Sequence, residues 1–205
     1  MAAITLPVTR GFVPAEFALT LKSNFVESRS VYSGYLQSVE NAGSSYWTAR
    51  IVWPARSTGS EAYSAAVEGL IHRLRSRVDT LSVWDMRRPA PLGTMRASPV
   101  LNGSIAQYAS TIGIRNAVAG ATLLAGDKIG ISGQLHVVTQ DATANGSGIF
   151  TGVTIDPPVR AARTDGSAIT WDKPTANFVL AQNEISFQRN LATFDAIAID
   201  LQEVL

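Results

Sequence analysis

The sequence contains no cysteine, which excludes disulfide bonds, thiolate catalysis and zinc sites with cysteine ligands. Only 16% of its 205 residues are charged, below the ~25% typical of soluble domains. The charges nearly cancel to +1, which argues against nucleic-acid binding driven by net charge. Long apolar runs and a secretory signal pattern are also lacking. We therefore expect a soluble protein whose weakly polar surface suits coverage by neighbours.

The segment from Leu123 to Trp171 carries the clearest pattern, a series of short strands separated by turns. Apolar residues recur at every second position, which places them on one face of each strand. The predicted core-facing sets are Ile129 with Ile131, Leu135 with Val137, and Ile149 with Val153 and Ile155. Asp165-Gly166 is a strong hairpin turn signal, and Asp156-Pro157-Pro158 should end its strand. The segment predicts a meander of antiparallel hairpins.

Further strands are predicted on both sides of this meander. They are Glu16 to Leu21, Val31 to Val39, Tyr46 to Trp53, Leu81 to Trp84, Ile112 to Val118, Asn177 to Ala181, Glu184 to Arg189 and Ala196 to Leu205. Glu40 to Ser45 is predicted to be a hairpin loop before the Tyr46 strand. In that strand Trp47, Ala49, Ile51 and Trp53 share one face. In the last strand Ile197, Ile199 and Leu201 alternate, and this strand is predicted to close the sheet.

One helix is predicted at about residues 60–78. Its apolar residues recur at helical spacing, namely Tyr63, Val67, Leu70, Ile71, Leu74 and Val78. This stripe should dock on the sheet, with the late arginines outward. The predicted fold class is mainly β, a β-sandwich or split barrel of antiparallel hairpins with one docked helix. Residues 1–205 should form a single structural unit, with a possible subdivision into 1–119 and 120–205.

The residues that could carry chemistry do not form a convincing site. Neither His72 nor His136 has an orienting partner that would make it a general base, and a partly exposed structural histidine is the favoured interpretation. The aspartates in turns are Asp127, Asp141, Asp156 and Asp165, where an Asp side chain caps its own backbone. The stretch from Asp141 opens like a calcium loop, but it lacks the later ligands. We predict no catalytic residue, no metal site and no cofactor.

The most distinctive charged cluster is Arg87 and Arg88 with Trp84 and Arg96. It could bind a polyanion, form an inter-subunit salt bridge or remain solvated, and solvation is the default for exposed charges. Together with Asp141 and Asn145, these four are the candidate subunit-interface residues. The tryptophans could instead form a sugar-stacking platform. They are Trp47, Trp53, Trp84 and Trp171, and three of them alternate with apolar residues or end such a strand, which favours core positions.

The order of these features resembles the distal tail proteins of long, non-contractile-tailed bacteriophages and related prophages. An early strand pair precedes Tyr46-Trp47, the strand to Trp53-Pro54 and the Ala-rich helix. The stretch from Leu81 to Gly93 then matches the family's hydrophobic strand, Asp, and Pro-then-Gly turn. The segments Leu124 to Asp127, His136 to Val138 and Gly148 to Arg160 are similar to hairpin modules of phage tail-tip proteins. The resemblance covers most of the chain.

The resemblance implies a structural virion protein that forms a ring, commonly a homohexamer, between the tail tube and the tail tip. Its partners would be its own copies, the tail tube protein and the tail hub or tip proteins. It would be made in the host cytoplasm and located in the phage tail, without catalysis, sequence-specific nucleic-acid binding or membrane insertion. Larger members carry an appended carbohydrate-binding domain, which we expect this chain to lack. The alternatives are a glycan-binding β-sandwich module and a small β-type hydrolase.

Overall fold

The computed structural model describes residues 3–6, 14–23, 25–40, 45–57, 61–182, 189–190, 193–194 and 196–204. Within these residues the chain is mainly β, with several sheets and a single helix, which confirms the predicted fold class. No helix in this part of the chain is long and apolar enough to cross a membrane.

The strands and the helix alternate along the chain in a fixed order. The strands are β1 (Ala3–Thr5), β2 (Glu16–Lys22), β3 (Phe25–Arg29), β4 (Leu36–Glu40), β5 (Tyr46–Trp53), β6 (Arg56–Ser57), β7 (Thr80–Trp84), β8 (Val100–Leu101), β9 (Thr111–Arg115), β10 (Thr122–Leu123), β11 (Lys128–Ile131), β12 (Gln134–Val138), β13 (Ala142–Thr143), β14 (Phe150–Asp156), β15 (Ile169–Thr170), β16 (Thr175–Leu180), β17 (Arg189–Asn190), β18 (Thr193–Phe194) and β19 (Ile197–Glu203). The helix α1 (Glu61–Arg75) lies between β6 and β7.

The chain divides into two compact units that interleave along the sequence. Unit 1 comprises Met1–Leu21, Tyr46–Val83 and Asn177–Leu205, and unit 2 comprises Lys22–Ser45 and Trp84–Ala176. The chain therefore passes from one unit to the other four times. The possible boundary near residue 119 that the sequence suggested lies inside unit 2.

Unit 1 contains a six-stranded sheet in the order β1-β7-β16-β19-β5-β2. Strand β1 pairs in parallel with β7, and β19 pairs antiparallel with both β16 and β5. The alternation predicted for β5 and β19 is confirmed, because all seven predicted inward residues are buried: Trp47, Ala49, Ile51, Trp53, Ile197, Ile199 and Leu201. Strand β19 joins two parts of the sheet that are distant in sequence.

The helix is shorter than the apolar stripe predicted. Four stripe residues, Val67, Leu70, Ile71 and Leu74, are buried as predicted. The helix ends at Arg75 because Arg77 adopts a left-handed conformation with φ of 53°, and its N–H donates to the Leu74 carbonyl at 3.0 Å. Val78 therefore lies beyond the helix and is exposed, so its predicted place in the stripe is wrong.

Unit 2 contains a second six-stranded sheet in the order β15-β11-β12-β14-β9-β8. A bridge between Val100 of β8 and Ala168, just before β15, links the two ends of this sheet, which nearly closes into a barrel. Its core is a cluster of buried apolar residues that includes Met95, Leu101, Ile112, Ile114, Leu123, Ile129, Ile131, Phe150 and Val153. Closure of a barrel removes the sheet edges that would otherwise be free.

The meander has two departures from its predicted alternation. In β14 the residue pairing with β9 shifts between Phe150 and Val153. Such an irregularity reverses the faces of the residues before it, so Phe150 is buried and Ile149 is only half-buried. The predicted inward position of Ile149 is therefore wrong, while those of Val153 and Ile155 are confirmed.

Strand β12 departs from the predicted alternation because side chains on both of its faces are buried. It is an interior strand of the sheet and pairs with β11 and β14. Leu135 and His136 are both buried, whereas Val137 is half-buried. The prediction that Val137 faces a core and that His136 is partly exposed is wrong. A strand covered on both faces loses the alternation from which its faces are inferred.

The segment before β5 also differs from the predicted strands. Residues 31–33 form a turn, and only β4 is extended within the predicted Val31 to Val39 strand. Strand β4 pairs antiparallel with β3, a strand that no alternation indicated, and the register places Val26 opposite Val39. Of the predicted loop from Glu40 to Ser45, Glu40 is the last residue of β4 and Ser45 directly precedes β5, while residues 41–44 lie outside the described residues. Most of the predicted Glu184 to Arg189 strand also lies outside them.

Candidate assembly surface

The Asp127 side chain forms hydrogen bonds that join the start of the meander to the loop that follows β7. Its carboxylate is almost fully buried. One oxygen accepts the Leu92 N–H at 2.7 Å, and the other accepts the N–H groups of Gly93 at 3.1 Å and Leu124 at 2.8 Å. Hydrogen bonds to a carboxylate are stronger than bonds between neutral groups. The predicted structural role of Asp127 is confirmed, although it holds a distant loop as well as its own turn.

Two further aspartates also bind backbone groups. Asp165 accepts the Gly103 N–H at 2.8 Å and pairs with the Arg115 guanidinium at 3.0 Å. The Gly103 N–H and then Arg115 lower the pKa of Asp165. Asp141 accepts the Ala125 N–H at 2.7 Å. Within the described ranges no group of three or more His, Asp or Glu side chains could hold a metal ion.

His136 is buried without access to solvent. Its Nδ1 lies 2.6 Å from the Pro157 carbonyl oxygen, so Nδ1 carries the proton, and Nε2 has no hydrogen-bond partner among the described residues. Burial lowers the pKa of His136 to about 4, and the charges of Arg160 and Arg163 lower it further. The imidazole is neutral near pH 7 and is enclosed in the structure, which is a poor arrangement for a general base.

Two residues of the predicted interface cluster are used inside unit 2. Trp84 is buried, with the Lys173 ammonium 6.0 Å from its ring centroid. The Arg96 guanidinium lies 4.9 Å from the ring centroid of Trp171 and donates to the Met95 carbonyl at 2.6 Å. Cation–π contacts of this kind fix the loop that carries Arg96. These side chains hold their own unit together.

The other two arginines of the cluster are exposed. Arg87 and Arg88 lie in the turn after Asp85, whose carboxylate accepts the Arg87 N–H at 3.0 Å. The same carboxylate forms a largely buried ion pair with Lys128 at 2.5 Å. Burial alone would raise the pKa of Asp85, but the Lys128 ammonium and the Arg87 N–H outweigh it and lower the pKa. The exposed guanidinium groups remain candidates for contact with another molecule.

Asn145, the last predicted interface residue, organises the loop after β13. Its side-chain oxygen accepts the N–H groups of Ser147 at 2.9 Å and Ile149 at 3.1 Å. Asp141 lies just before β13 and also binds backbone, as described above. Both residues are exposed, but their polar groups are engaged in local turn structure, which is the common role of Asn and Asp in loops.

A larger uncovered surface lies on the hairpin of β3 and β4, which none of the predicted sites includes. Residues 30–35 form its loop, closed by hydrogen bonds from the Ser30 N–H to the Tyr35 carbonyl and from the Gly34 N–H to the Ser30 carbonyl, both 3.0 Å. Gly34 has φ of +69°, a conformation that glycine adopts without strain. The hairpin is thus a regular two-stranded sheet with a well-defined tip.

Every residue from 26 to 39 is exposed, so neither face of this hairpin is covered. Its large apolar side chains and their exposed fractions are Val26 66%, Val31 94%, Tyr32 101%, Tyr35 80%, Leu36 60% and Val39 56%. These are six of the eleven exposed large apolar side chains in the described part of the chain. Such clustering distinguishes an interaction surface from the single exposed apolar residues of any protein.

An isolated two-stranded hairpin is only marginally stable in water. The two tyrosines alone offer roughly 300–500 Å² of surface, which is about half of the ~800 Å² that each side of a standard interface buries. The four aliphatic side chains add to this area. The hairpin, defined as residues 25–40, therefore has the size and composition of one side of a protein–protein interface. We call it the assembly arm.

No protein-family model matches the sequence, and a search of curated proteins also finds no match. The surface geometry and the order of sequence features are therefore what bear on function.

The tryptophans do not form the sugar-stacking platform considered for the sequence. Trp47 and Trp53 are buried in unit 1, and Trp84 is buried in unit 2. Trp171 is half-buried, and its ring faces the Arg96 guanidinium. The prediction that three tryptophans belong to cores is confirmed. The two most exposed aromatic side chains among the described residues are those of Tyr32 and Tyr35 on the assembly arm.

The assembly arm could have been recognised from one local signal. Ser33-Gly34 separates the apolar pair Val31-Tyr32 from the apolar pair Tyr35-Leu36, and a Ser-Gly dipeptide is typical of a turn. A turn centred there makes the flanking segments two antiparallel strands. Their exposure could not be inferred, because it depends on whether another part of the chain covers them.

Proposed function

We propose that this chain is a structural protein of a bacteriophage tail. It assembles with its own copies, most simply six, into a ring that joins the tail tube to the tail tip, and it contacts the tail tube and tail hub proteins. The observation that supports this proposal is the assembly arm, whose apolar side chains are uncovered in the single chain. The resemblance of the strand and turn order to distal tail proteins supplies the biological context.

The assembly arm favours self-association for a physical reason. Its strands gain little stability from each other, and its exposed apolar area stabilises the protein only when a neighbour removes it from water. Charge does not oppose association, because the chain carries a formal net charge of only +1. Repeated head-to-tail contacts between identical subunits close into a ring when the rotation between neighbours permits it.

Catalysis has no part in this proposal. The carboxylates of Asp127, Asp141 and Asp165 are committed to backbone N–H groups, and the imidazole of His136 is buried. These groups stabilise loops and strands, which is what a scaffold requires of them. The exposed guanidinium groups of Arg87 and Arg88 are the side chains that we propose for contact with neighbouring tail proteins.

The proposal is tested by light scattering on a sizing column together with negative-stain electron microscopy of the purified chain. Six copies of 21.8 kDa would give a ring of about 130 kDa with a central hole. Replacement of Tyr32 and Tyr35 by serine should leave monomers. The matched control replaces Leu92 and Val118 by serine, which removes two exposed apolar side chains outside the arm and should leave the rings intact.

The outcomes separate assembly from folding. Because the two tyrosines are exposed, their replacement should change the thermal midpoint of the monomer by little, as is usual for surface substitutions. A wild-type chain that stays monomeric at every concentration would contradict the proposal. Rings that persist in the double tyrosine variant would remove its supporting observation.

A further inference from the structure

Besides the assembly arm, a strand edge without a described partner lies at one end of the sheet of unit 1. Strand β2 is the terminal strand of that sheet, with β5 on one side and no described strand on the other. Natural edge strands are commonly protected by proline, by charged side chains or by bulges. Strand β2 has charged residues at its two ends, Glu16 and Lys22, but residues 17–21 between them are Phe-Ala-Leu-Thr-Leu, without charge or proline. The middle of this edge therefore lacks those protections and could accept another strand.

The assembly arm presents a matching edge. Strand β4 pairs with β3 along one side, and no described strand pairs with its other side. Residues 36–39 are Leu-Gln-Ser-Val, without charge or proline, and the charged Glu40 ends the strand. Strand β4 is five residues long and β2 is seven, so the whole of β4 can lie along β2.

We infer that β4 of one copy adds to the free edge of β2 of a second copy. The inference rests on the proposed function and names the surface that receives the assembly arm. Main-chain hydrogen bonds along the added strand supply affinity, and the adjacent side chains supply specificity. A second copy fits better than an unrelated partner, because one kind of contact then covers the free edge of β2 and the free edge of β4 in every chain.

The exposed area of the assembly arm also supports a second copy of the chain as its binding partner. Its two tyrosines and four aliphatic side chains are exposed, and they would be covered as the arm lies against the receiving copy. The tyrosines contribute roughly 300–500 Å² toward the ~800 Å² per side of a stable interface. Because donor and acceptor are different strands, the contact is head-to-tail and can be repeated around a ring.

Engineered cysteines test this pairing without background, because the natural chain contains none. Ser38→Cys places a thiol on β4, and Ala18→Cys, Thr20→Cys or Lys22→Cys places one on β2. Side chains opposite each other on paired strands lie about 4.5–5.5 Å apart at Cβ, close enough for a disulfide in at least one register after a small shift. The three positions on β2 cover registers that differ by two residues.

Under mild oxidation, at least one double variant should form a ladder of covalent species at multiples of 21.8 kDa on non-reducing gels. Each single variant should remain at the mass of one chain, because its cysteine faces none on the neighbour. A double variant that combines Thr20→Cys with Ser147→Cys, an exposed residue outside the arm, should also form no ladder. Reduction should collapse the ladder.

The results distinguish the inference from the proposed function. Rings in the microscope without a ladder in any of the three double variants would overturn the inference and leave the ring intact. Covalent dimers of a single variant would also overturn it, since they indicate a two-fold contact of like strands. Absence of both rings and cross-links at every concentration would reject the ring and the inference together.

Discussion

Acidification should weaken unit 2 through His136. In the unfolded chain an ordinary histidine has a pKa of about 6.5, whereas burial lowers the pKa of His136 to about 4 in the folded protein. Between these values the unfolded chain binds a proton that the folded chain does not bind. The free energy of unfolding therefore falls as the pH falls, by about 1.4 kcal/mol per pH unit. The full loss is about 3 kcal/mol below pH 4, and the group has no effect above pH 7.

The hydrogen bond of the His136 side chain suggests a variant that keeps a donor at this position but does not titrate. Nδ1 of His136 donates to the Pro157 carbonyl, and the amide of asparagine can donate from nearly the same position. His136→Asn should lower the free energy of unfolding most near neutral pH, because it leaves a smaller side chain in the core. It also removes the titrating group, so the variant should lack the loss of stability that His136 causes in the wild type as the pH falls. His72→Asn replaces the other histidine of the chain, which is exposed, and serves as the control.

The measurement is urea unfolding followed by circular dichroism at pH 7.5, 6.5, 5.5 and 4.5. The difference in unfolding free energy between the wild type and His136→Asn should shrink as the pH falls, by about 2–3 kcal/mol at pH 4.5. Contributions from carboxylates cancel in that difference. Parallel pH profiles of the wild type and His136→Asn would refute the reasoning, and His72→Asn should track the wild type throughout.

Two further substitutions test the contacts that hold the loops and strands of unit 2 together. Asp127→Asn should lower the free energy of unfolding by about 2–3 kcal/mol, because the amide cannot accept the three backbone N–H groups that the carboxylate binds; Asp172→Asn, at an exposed position, should leave the urea midpoint unchanged. Gly93→Ala should lower the thermal midpoint strongly, since its Cβ would lie 2.2 Å from the Thr122 carbonyl oxygen. Gly146→Ala, where a Cβ meets no atom within 4 Å, is its control, and equal midpoints would contradict the prediction.

The periodicity of apolar residues correctly predicted the elements that have one buried face and one more exposed face. The alternation of Trp47 to Trp53 held because the inward and outward faces of β5 differ clearly in burial. The helical stripe held from Val67 to Leu74, and it failed at Val78, where the left-handed Arg77 had already ended the helix. Such an ending depends on one backbone conformation that the apolar pattern does not reveal.

Pairing between strands could not be predicted from periodicity. A period of two indicates which side chains share a face, but it does not name the partner strand. The parallel pairing of β1 with β7 joins segments far apart in sequence. The register shift that buries Phe150 in place of Ile149 is a property of two strands together, and neither strand shows it alone.

The predicted interface residues show that the sequence pattern is also a limited guide to which residues are exposed. Trp84 and Arg96 were chosen as distinctive residue types, but burial and the contact with Trp171 commit them to their own unit. Tyr32 and Tyr35 were placed in an ordinary strand and have the most exposed aromatic rings of the described chain. Exposure is a property of the folded chain as a whole, so the sequence pattern did not identify the assembly arm.

The interleaving of the two units has a consequence for the order in which they can fold during synthesis. All strands of the unit 2 barrel lie between Val100 and Thr170, whereas the sheet of unit 1 needs β19 between β16 and β5. Since a chain leaves the ribosome from its N-terminus, the barrel is available while unit 1 still lacks a central strand. Strand β5, with its two tryptophans, therefore lacks one of its two neighbours until the end of synthesis, and a chaperone would have most to protect there.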